Sequence, residues 1–490
     1  MTHTLSDLLR RVEAASLHGD AATVVEGLTY DSRSVRAGDC FFAVRGTQCD
    51  GHAFIPAATA AGASVVVCEE LPAEPADGVA YVVVADTHAA MADLAAAFYD
   101  EPSRSLRLVG VTGTNGKTTT ATLLYDLARA AGHRAGLIST VVYKIDDRTV
   151  EATHTTPDPI RLNAMMREMV DAGCEYCFME CSSHAIVQQR TRGLHFAGGI
   201  FTNITHDHLD YHKTFAEYIR AKKPFFDGLP AEAFALVNDD DRNGRVMVQN
   251  TAAAVKSYSL RTMADYRCKI VEMHLDGMLL RIDGREVWVG LLGRFNAYNL
   301  LAVYAAAVEL GFSSEEVLRI LSTLHPVDGR FEVVRAENGT TAIVDYAHTP
   351  DALENVLRTI DEIRTPRQRL LVVCGRGGNR DRTKRPEMAQ IAVKYADTTT
   401  FTSDNPRHEQ PEAILDDMVA GLSDGARYLR IADRREAIRT AAMLARAGDL
   451  LLIAGKGHET YQIVGDEKRH FDDREEVRAA FLLTGTDRSV

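Results

Sequence analysis

The run Gly113-Thr114-Asn115-Gly116-Lys117-Thr118-Thr119 restricts what this chain can fold into more than any other segment. It follows an apolar stretch, residues 106 to 111, that predicts a buried strand. It precedes residues 118 to 131, where Leu123, Leu124, Leu127 and Ala131 share one helical face and Gly132 supplies the stop. A strand that turns through glycines into a helix aims backbone N–H groups and the positive end of the helix at one point, where phosphate binds. Lys117 is then placed to reach the β and γ phosphates, and Thr118 to hold Mg²⁺. The strict pattern has a further glycine five residues before Gly116, where this chain has Val111. The plainer alternative is a glycine turn with a surface lysine, but the flanking strand and helix favour ATP or GTP. The loop does not say what the energy drives.

The chain has 490 residues, which at roughly 150 per domain suggests about three domains. Composition is that of an ordinary globular α/β protein, 46% hydrophobic and 25% charged, which argues against disorder, a fibre or a disulfide mini-protein. The formal charge of −13 argues against a general nucleic-acid coat and an anionic-membrane binder. Anionic substrates must be met by local basic clusters. The first eleven residues carry no apolar core of a signal peptide, and no stretch reaches 18 apolar residues. Eight scattered cysteines suggest reduced thiols, so the expected compartment is the cytoplasm. Cys174-x-x-Cys177 with Cys181 resembles a metal knuckle, but no second pair follows at zinc spacing.

Along the chain, residues 1–102 read as a mixed α/β domain with buried strands near Cys40 to Val44 and Val65 to Cys68. Residues 103–331 read as the phosphate-loop domain, built from repeating strand–turn–helix units with a mostly parallel sheet. Residues 332–490 read as a third, Rossmann-like α/β domain. It has apolar strands at Ala342 to Val344, Leu370 to Val373 and Leu450 to Ala454. Each runs into polar or glycine-rich sequence, and parallel sheets bind ligands at the carboxyl ends of strands.

Residues 203 to 212 pack three histidines and two aspartates into a short span, either a solvated loop or a metal site. Glu180 ends another apolar strand and offers a hard oxygen of the kind Mg²⁺ prefers. Lys222 and Lys223 follow one helix later, and spacing alone leaves them as surface lysines. Ser182, Ser183 and His184 lack the G-x-S-x-G elbow, so a hydrolase is disfavoured.

Six motifs now stand in one order: the phosphate loop, Glu180-Cys181-Ser182-Ser183-His184, and Asp207-His208-Leu209-Asp210-Tyr211-His212. Then come residues 293 to 299, Asp345-Tyr346-Ala347-His348-Thr349-Pro350, and Gly455-Lys456-Gly457-His458-Glu459. In this order they resemble the Mur ligase family of peptidoglycan synthesis. The likeness runs from Asp31-Ser32-Arg33 to Glu459. It implies an N-terminal domain for the UDP end of the substrate, a central ATP domain, and a C-terminal domain for the incoming amino acid. It implies ligation in three steps: ATP phosphorylates a carboxylate, an amine attacks the acyl phosphate, and phosphate leaves. It further implies a role in cell-wall biogenesis, cell shape and division, and a monomer.

The resemblance also assigns residues. Tyr30 and Ser32 meet the uridine end, with Thr47, Gln48 and Cys49 nearby. Thr155, Thr156, Ser182, Gln188 and Arg190 hold the muramyl dipeptide. His154 stands where relatives commonly have asparagine, so that contact is left open. Lys222 matches a lysine that reacts with CO₂ to become a carbamate ligand of Mg²⁺, and Glu180 and His208 share a second metal. Asn296 touches the base, Arg330 the phosphates and Asp345 the ribose. Asp404-Asn405-Pro406-Arg407 marks the branch that adds meso-2,6-diaminopimelate to UDP-MurNAc-L-Ala-D-Glu. Arg407 suits a carboxylate as a bidentate partner and would repel the ammonium of lysine. Gly455 and Glu459 take the distal amine, and Arg385 the other carboxylate. A lysine-adding relative, a folylpolyglutamate synthase-like ligase and an ATPase switch are the competing readings.

Overall fold

In the computed structural model, which describes residues 2–12, 14–46, 49–205 and 212–485, the apolar runs of the first hundred residues form a five-stranded sheet. Its order is Ala14–His18, Ala80–Val84, Val65–Cys68, Asp39–Phe42, Gly27–Thr29, parallel except at the first strand. Both faces are buried: Phe41, Val66 and Tyr81 pack on one side, and Phe42, Val65 and Val67 on the other. This explains why these strands are apolar without alternation. Asp86 caps helix Thr87–Phe98 by accepting from the His88 and Ala89 amides.

The second sheet has eleven strands. Its middle is parallel, with Arg107–Thr112 between Tyr176–Glu180 and Phe196–Phe201. Its edges correct the expectation of uniform strand–helix repeats up to residue 331. Val142–Ile145 and Arg148–Glu151 form an antiparallel hairpin at one edge. Tyr266–His274, Gly277–Ile282 and Arg285–Val289 form an antiparallel meander at the other. The physical cause is local. Asp283 and Gly284 both have positive φ, the backbone of a two-residue hairpin turn, and Asp-Gly favours it. Strand Tyr266–His274 turns Tyr266, Cys268 and Ile270 toward the core that includes helix Arg294–Glu309 and leaves Arg267, Lys269 and Val271 exposed, the alternation expected where one face of an antiparallel sheet meets solvent.

The third sheet has the order Glu332–Arg335, Thr341–Asp345, Leu450–Ala454, Leu370–Arg376, Thr398–Ser403, Tyr428–Arg430, parallel except at the first strand. The three strands expected from sequence are adjacent in it. Their carboxyl ends bring Asp345, Gly455 and Arg376 together, with Asp404 just past the neighbouring strand. One apolar core runs continuously from helix Arg294–Glu309 of the central region to helix Pro350–Ile363 of the third. Among the described residues no helix is long and apolar enough to cross a membrane.

Candidate active site

A single cavity of about 1020 Å³ is lined from the phosphate loop to Arg407. At its centre, strand Arg107–Thr112 delivers the loop to helix Lys117–Ala130. Gly113 and Gly116 have φ of 147° and 86°. A Cβ on them would stand 2.0 Å from Thr202 Oγ1 and 2.4 Å from Asn299 Oδ1, so only glycine fits. The loop is fixed from behind. The Thr114 amide donates to the Asn203 carbonyl (2.8 Å), the Asn115 amide to Asn203 Oδ1 (3.0 Å), and Thr202 Oγ1 to the Asn115 carbonyl (2.6 Å). Lys117 Nζ donates to the carbonyls of Gly113 (3.0 Å) and Thr114 (2.7 Å).

Around this loop stand hard oxygen donors. Glu180 is 1% exposed, and its carboxylate accepts from the Thr140 amide (2.7 Å) and hydroxyl (3.2 Å). Thr118 Oγ1 accepts from Arg330 (3.4 Å). Lys222, also 1% exposed, reaches inward from helix Phe215–Asp227: its Nζ donates to the Gly113 carbonyl (2.9 Å) and lies 4.8 Å from the Tyr218 ring centre. Lys223 turns away to Asp227 (2.6 Å). A carboxylate and a hydroxyl at a phosphate loop suit Mg²⁺ rather than a softer ion. His208, Thr47 and Gln48 lie outside the described residues. Cys174, Cys177 and Cys181 are buried thiols, and burial pushes all three up from the ordinary thiol range. Among the described residues no group of three His, Cys, Asp or Glu side chains could hold a metal.

The strip expected to hold the dipeptide lies beside Glu180. Thr156 Oγ1 donates to the Glu180 carbonyl (2.7 Å) and accepts from the Ser182 amide (3.3 Å). Thr155 accepts from Thr140 Oγ1 (3.1 Å). Arg190 donates to the Thr156 carbonyl (2.6 Å) and, by two nitrogens, to Gln188 Oε1. His154 lines the same wall. Tyr30, half exposed, is near this strip: burial raises its phenol, and the charges of Asp158 and Arg190 act on it. Ser32 opens a short 3₁₀ turn capped by Asp31, and Cys49 is exposed. None of these three lines the cavity.

The far end holds a charged network. Lys456 Nζ donates to Asp404 (3.3 Å), Asn405 Oδ1 (3.2 Å) and Glu459 (3.0 Å), and Asn405 Nδ2 donates to Glu459 (2.8 Å). Burial is the largest influence on the Asp404 carboxyl and raises it, but Lys456, Arg434 and Arg376 together outweigh burial and hold Asp404 below its ordinary value. Burial and the Asp404 charge hold Glu459 above its own. Arg407, at φ 53°, donates to the Gly378 carbonyl (2.9 Å), and the Pro406 carbonyl accepts from the Glu409 amide (3.1 Å). The Gly455 amide donates to the Asp345 carbonyl (3.0 Å). Asp345 itself accepts from the Phe331 amide (2.7 Å), and burial lifts its carboxyl to about 6.

Two expectations are corrected. Arg385 does not reach the cavity. It is 0% exposed, and its guanidinium is taken by Glu409 (2.9 and 3.0 Å) and Asp417 (2.7 Å). Arg380 and Arg376, earlier in the same basic run, line the wall instead. Asn296 is buried behind the wall, donating to the Leu292 carbonyl (2.7 Å) and accepting from Asn299 (3.1 Å), and Asn299 is the one that faces in. Sequence reasoning also missed Lys456. Its place inside the Gly455-to-Glu459 motif was the available signal.

Known proteins share this arrangement. Residues 24–99 match the model "Mur ligase family, catalytic domain", 111–307 "Mur ligase middle domain" and 329–457 "Mur ligase, glutamate ligase domain". The chain is 56% identical over 479 residues to the UDP-N-acetylmuramoyl-L-alanyl-D-glutamate--2,6-diaminopimelate ligase of Parabacteroides distasonis, covering 97% of this chain and 99% of that one. It is 54% identical over 482 residues to the ligase of the same name from Bacteroides fragilis, covering 98% and 99%. A solved structure of such a ligase superposes with a TM-score of 0.71 at 33% identity, covering 99% of this chain and 100% of that one.

Proposed function

The chain belongs to the Mur ligase family, and from that premise we propose that it joins meso-2,6-diaminopimelate to UDP-MurNAc-L-Ala-D-Glu at the expense of ATP, in peptidoglycan precursor synthesis. Residues 1–102 take the UDP end, 103–331 the nucleotide and 332–490 the amino acid. The proposed compartment is the cytoplasm and the proposed state a monomer.

A carboxylate is a poor electrophile, and phosphorylation gives it a leaving group. The γ-phosphoryl of ATP moves to the glutamyl carboxylate, the amine of diaminopimelate attacks the carbonyl carbon, and the tetrahedral intermediate expels phosphate. The enzyme's task is to position two anionic substrates and a zwitterionic amino acid, and to offset charge that builds in the transition states. Lys117 and Arg330 face the phosphates; Arg190 and the Thr155–Thr156 strip orient the dipeptide. Thr118 and Glu180 are the residues that would hold Mg²⁺, which would neutralise phosphate charge when bound. The Lys222 amine adds CO₂ and loses a proton to give a carbamate, an anionic oxygen donor in place of a cation. Arg407 grips the distal carboxylate, with Asp404, Asn405 and Glu459 around the distal ammonium.

The observation that carries the substrate choice is Arg407 standing with Glu459 and Asp404 in the cavity that also holds the phosphate loop. Arg407 offers a bidentate partner to a carboxylate, and Glu459 and Asp404 offer acceptors to an ammonium, so the group suits a zwitterionic amino-acid head, whereas the side chain of lysine brings no carboxylate to Arg407. The test is phosphate release with ATP, Mg²⁺ and UDP-MurNAc-L-Ala-D-Glu, comparing meso-diaminopimelate with L-lysine. Release with diaminopimelate alone is expected. Release with lysine would keep the ligase and overturn the substrate choice. No release with either would return the folylpolyglutamate-type ligase or ATPase switch.

A further inference from the structure

Strand Leu370–Arg376 ends in the cavity on a residue with no role in the scheme above. Arg376 is 6% exposed. A buried guanidinium is ordinarily neutralised by a carboxylate. The other two buried arginines among the described residues, on the helices beside this sheet, are neutralised: Arg385 by Glu409 and Asp417, and Arg434 by Asp473 at 2.7 Å. Arg376 has no carboxylate at ion-pair distance among the described residues. One N–H goes to the His348 carbonyl, and Nε has no partner. Asp404 and Asp381 act on it only through longer-range charge, and Asp404 already serves Lys456. An unneutralised buried cation is a burden on folding, so its place calls for a ligand.

The position says which kind. Arg376 is the register partner of Ser403, the residue before Asp404 in the amino-acid end of the cavity. On its other side, His348 stands 4.5 Å from the Tyr346 ring, on which the Arg330 guanidinium rests at 4.5 Å. Arg330 in turn reaches Thr118 of the phosphate loop. Arg376 therefore stands where the two halves of the cavity meet. We propose that Arg376 is a further anion contact for ligation, its fork of N–H groups holding an oxyanion where amine and acyl phosphate meet. That oxyanion is either the carboxylate beside the attacking amine or the transferred phosphoryl group, both of which a guanidinium takes bidentately. The inference rests on the ligase reading, with Arg407 and Arg380 left to the remaining carboxylates.

The test compares wild type with Arg376→Met, Arg376→Gln and Arg376→Lys in ligation, in thermal unfolding and in ATP positional isotope exchange without diaminopimelate. Exchange reads phosphoryl transfer alone. The expected result for Arg376→Met is a Tm equal to or above wild type with kcat/KM for ligation down about 30-fold or more. A rise in KM for diaminopimelate with exchange intact assigns the carboxylate; loss of exchange assigns the phosphoryl group. Partial recovery in Arg376→Lys is expected, and that variant reads the fork geometry even where Arg376→Met does not fold. The inference is overturned if the variants lose Tm but keep wild-type kcat/KM per folded molecule, in both ligation and exchange. Failure of wild type itself to ligate would overturn the ligase reading together with it.

Discussion

The Asn115 side-chain amide donates to the Asp351 carboxylate at 2.7 Å, joining the tip of the phosphate loop to the first turn of helix Pro350–Ile363. The same carboxylate oxygen accepts from Thr205 (3.3 Å) and Asn355 (3.2 Å). A carboxylate is favoured at a helix N-terminus, so this contact ties the third region of the chain to the phosphate loop. Asn115→Ala and Asp351→Ala are each expected to lower kcat/KM for ATP. The double variant should be no worse than the weaker single, with a coupling of about 0.5–3 kcal/mol in a double-mutant cycle. Strict additivity would show the two groups acting independently.

Lys117→Ala removes the cation nearest the loop. Ligation is expected to fall by about 10²–10³ or more, as for loss of one preorganised charge-stabilising donor. Unfolding midpoints should stay near wild type, since the Lys117 ammonium donates to carbonyls of its own loop and is not at the centre of an apolar core. Turnover near wild type would remove Lys117 from the phosphate site.

Lys222 and Lys223 are adjacent, yet one is buried beside Gly113 and the other paired with Asp227. Lys222→Ala should be strongly impaired and partly restored by short-chain carboxylates, which replace the carbamate oxygens. Lys223→Ala should lose less than about 0.5 kcal/mol of stability and little activity, as expected for one i,i+4 pair. The opposite pattern in turnover would exchange their roles.

Arg407→Ala and Arg385→Ala should fail differently. The first is expected to raise KM for diaminopimelate much more than KM for ATP. The second strips Glu409 and Asp417 of a buried partner and should cost about 3–5 kcal/mol in denaturant unfolding. Its surviving folded fraction should keep a normal KM for diaminopimelate. The Arg385 guanidinium holds the Glu409 carboxyl down at about 2, so that pair is fully formed above the ordinary value of 4.5 and weakens as pH falls toward 2.

Asp345 has the reverse dependence. Burial raises its carboxyl from the ordinary 3.8 to about 6. The neutral acid is the form that suits the fold, so its contribution is whole below 3.8 and is lost as pH rises through 6. Asp345→Asn should therefore gain on wild type by up to about 2–3 kcal/mol between pH 4 and pH 8. Chemical denaturation at the two pH values measures this, and an equal difference at both would place the carboxylate in a polar setting.

Much of this was legible in the sequence where spacing is short. Strand, loop and helix at residues 106 to 131 obey local rules, and Gly113 and Gly116 are glycines for reasons a few residues away. Register within a basic run is another matter. Arg376, Arg380 and Arg385 are separated by four and five positions, and which of them faces the cavity depends on Glu409 and Asp417. Those carboxylates arrive from another element and close over Arg385. Asn296 and Asn299 lie one helical turn apart, and only the packing of their helix decides which is at the wall. The antiparallel edges do not follow from a strand–helix repeat, and at one of them the local signal is the two-residue turn Asp283-Gly284.

The continuity of the cavity has a pharmacological side. The phosphate loop and Arg407 border the same space, so a single small molecule with a phosphate mimic at one end and a diamino-acid head at the other can meet both without leaving the cavity. Its second contact would form at an effective concentration on the order of millimolar, without any new interaction being required. Linker length then becomes a ruler for the distance between the two ends, and the best inhibitor of a series would report that span in solution.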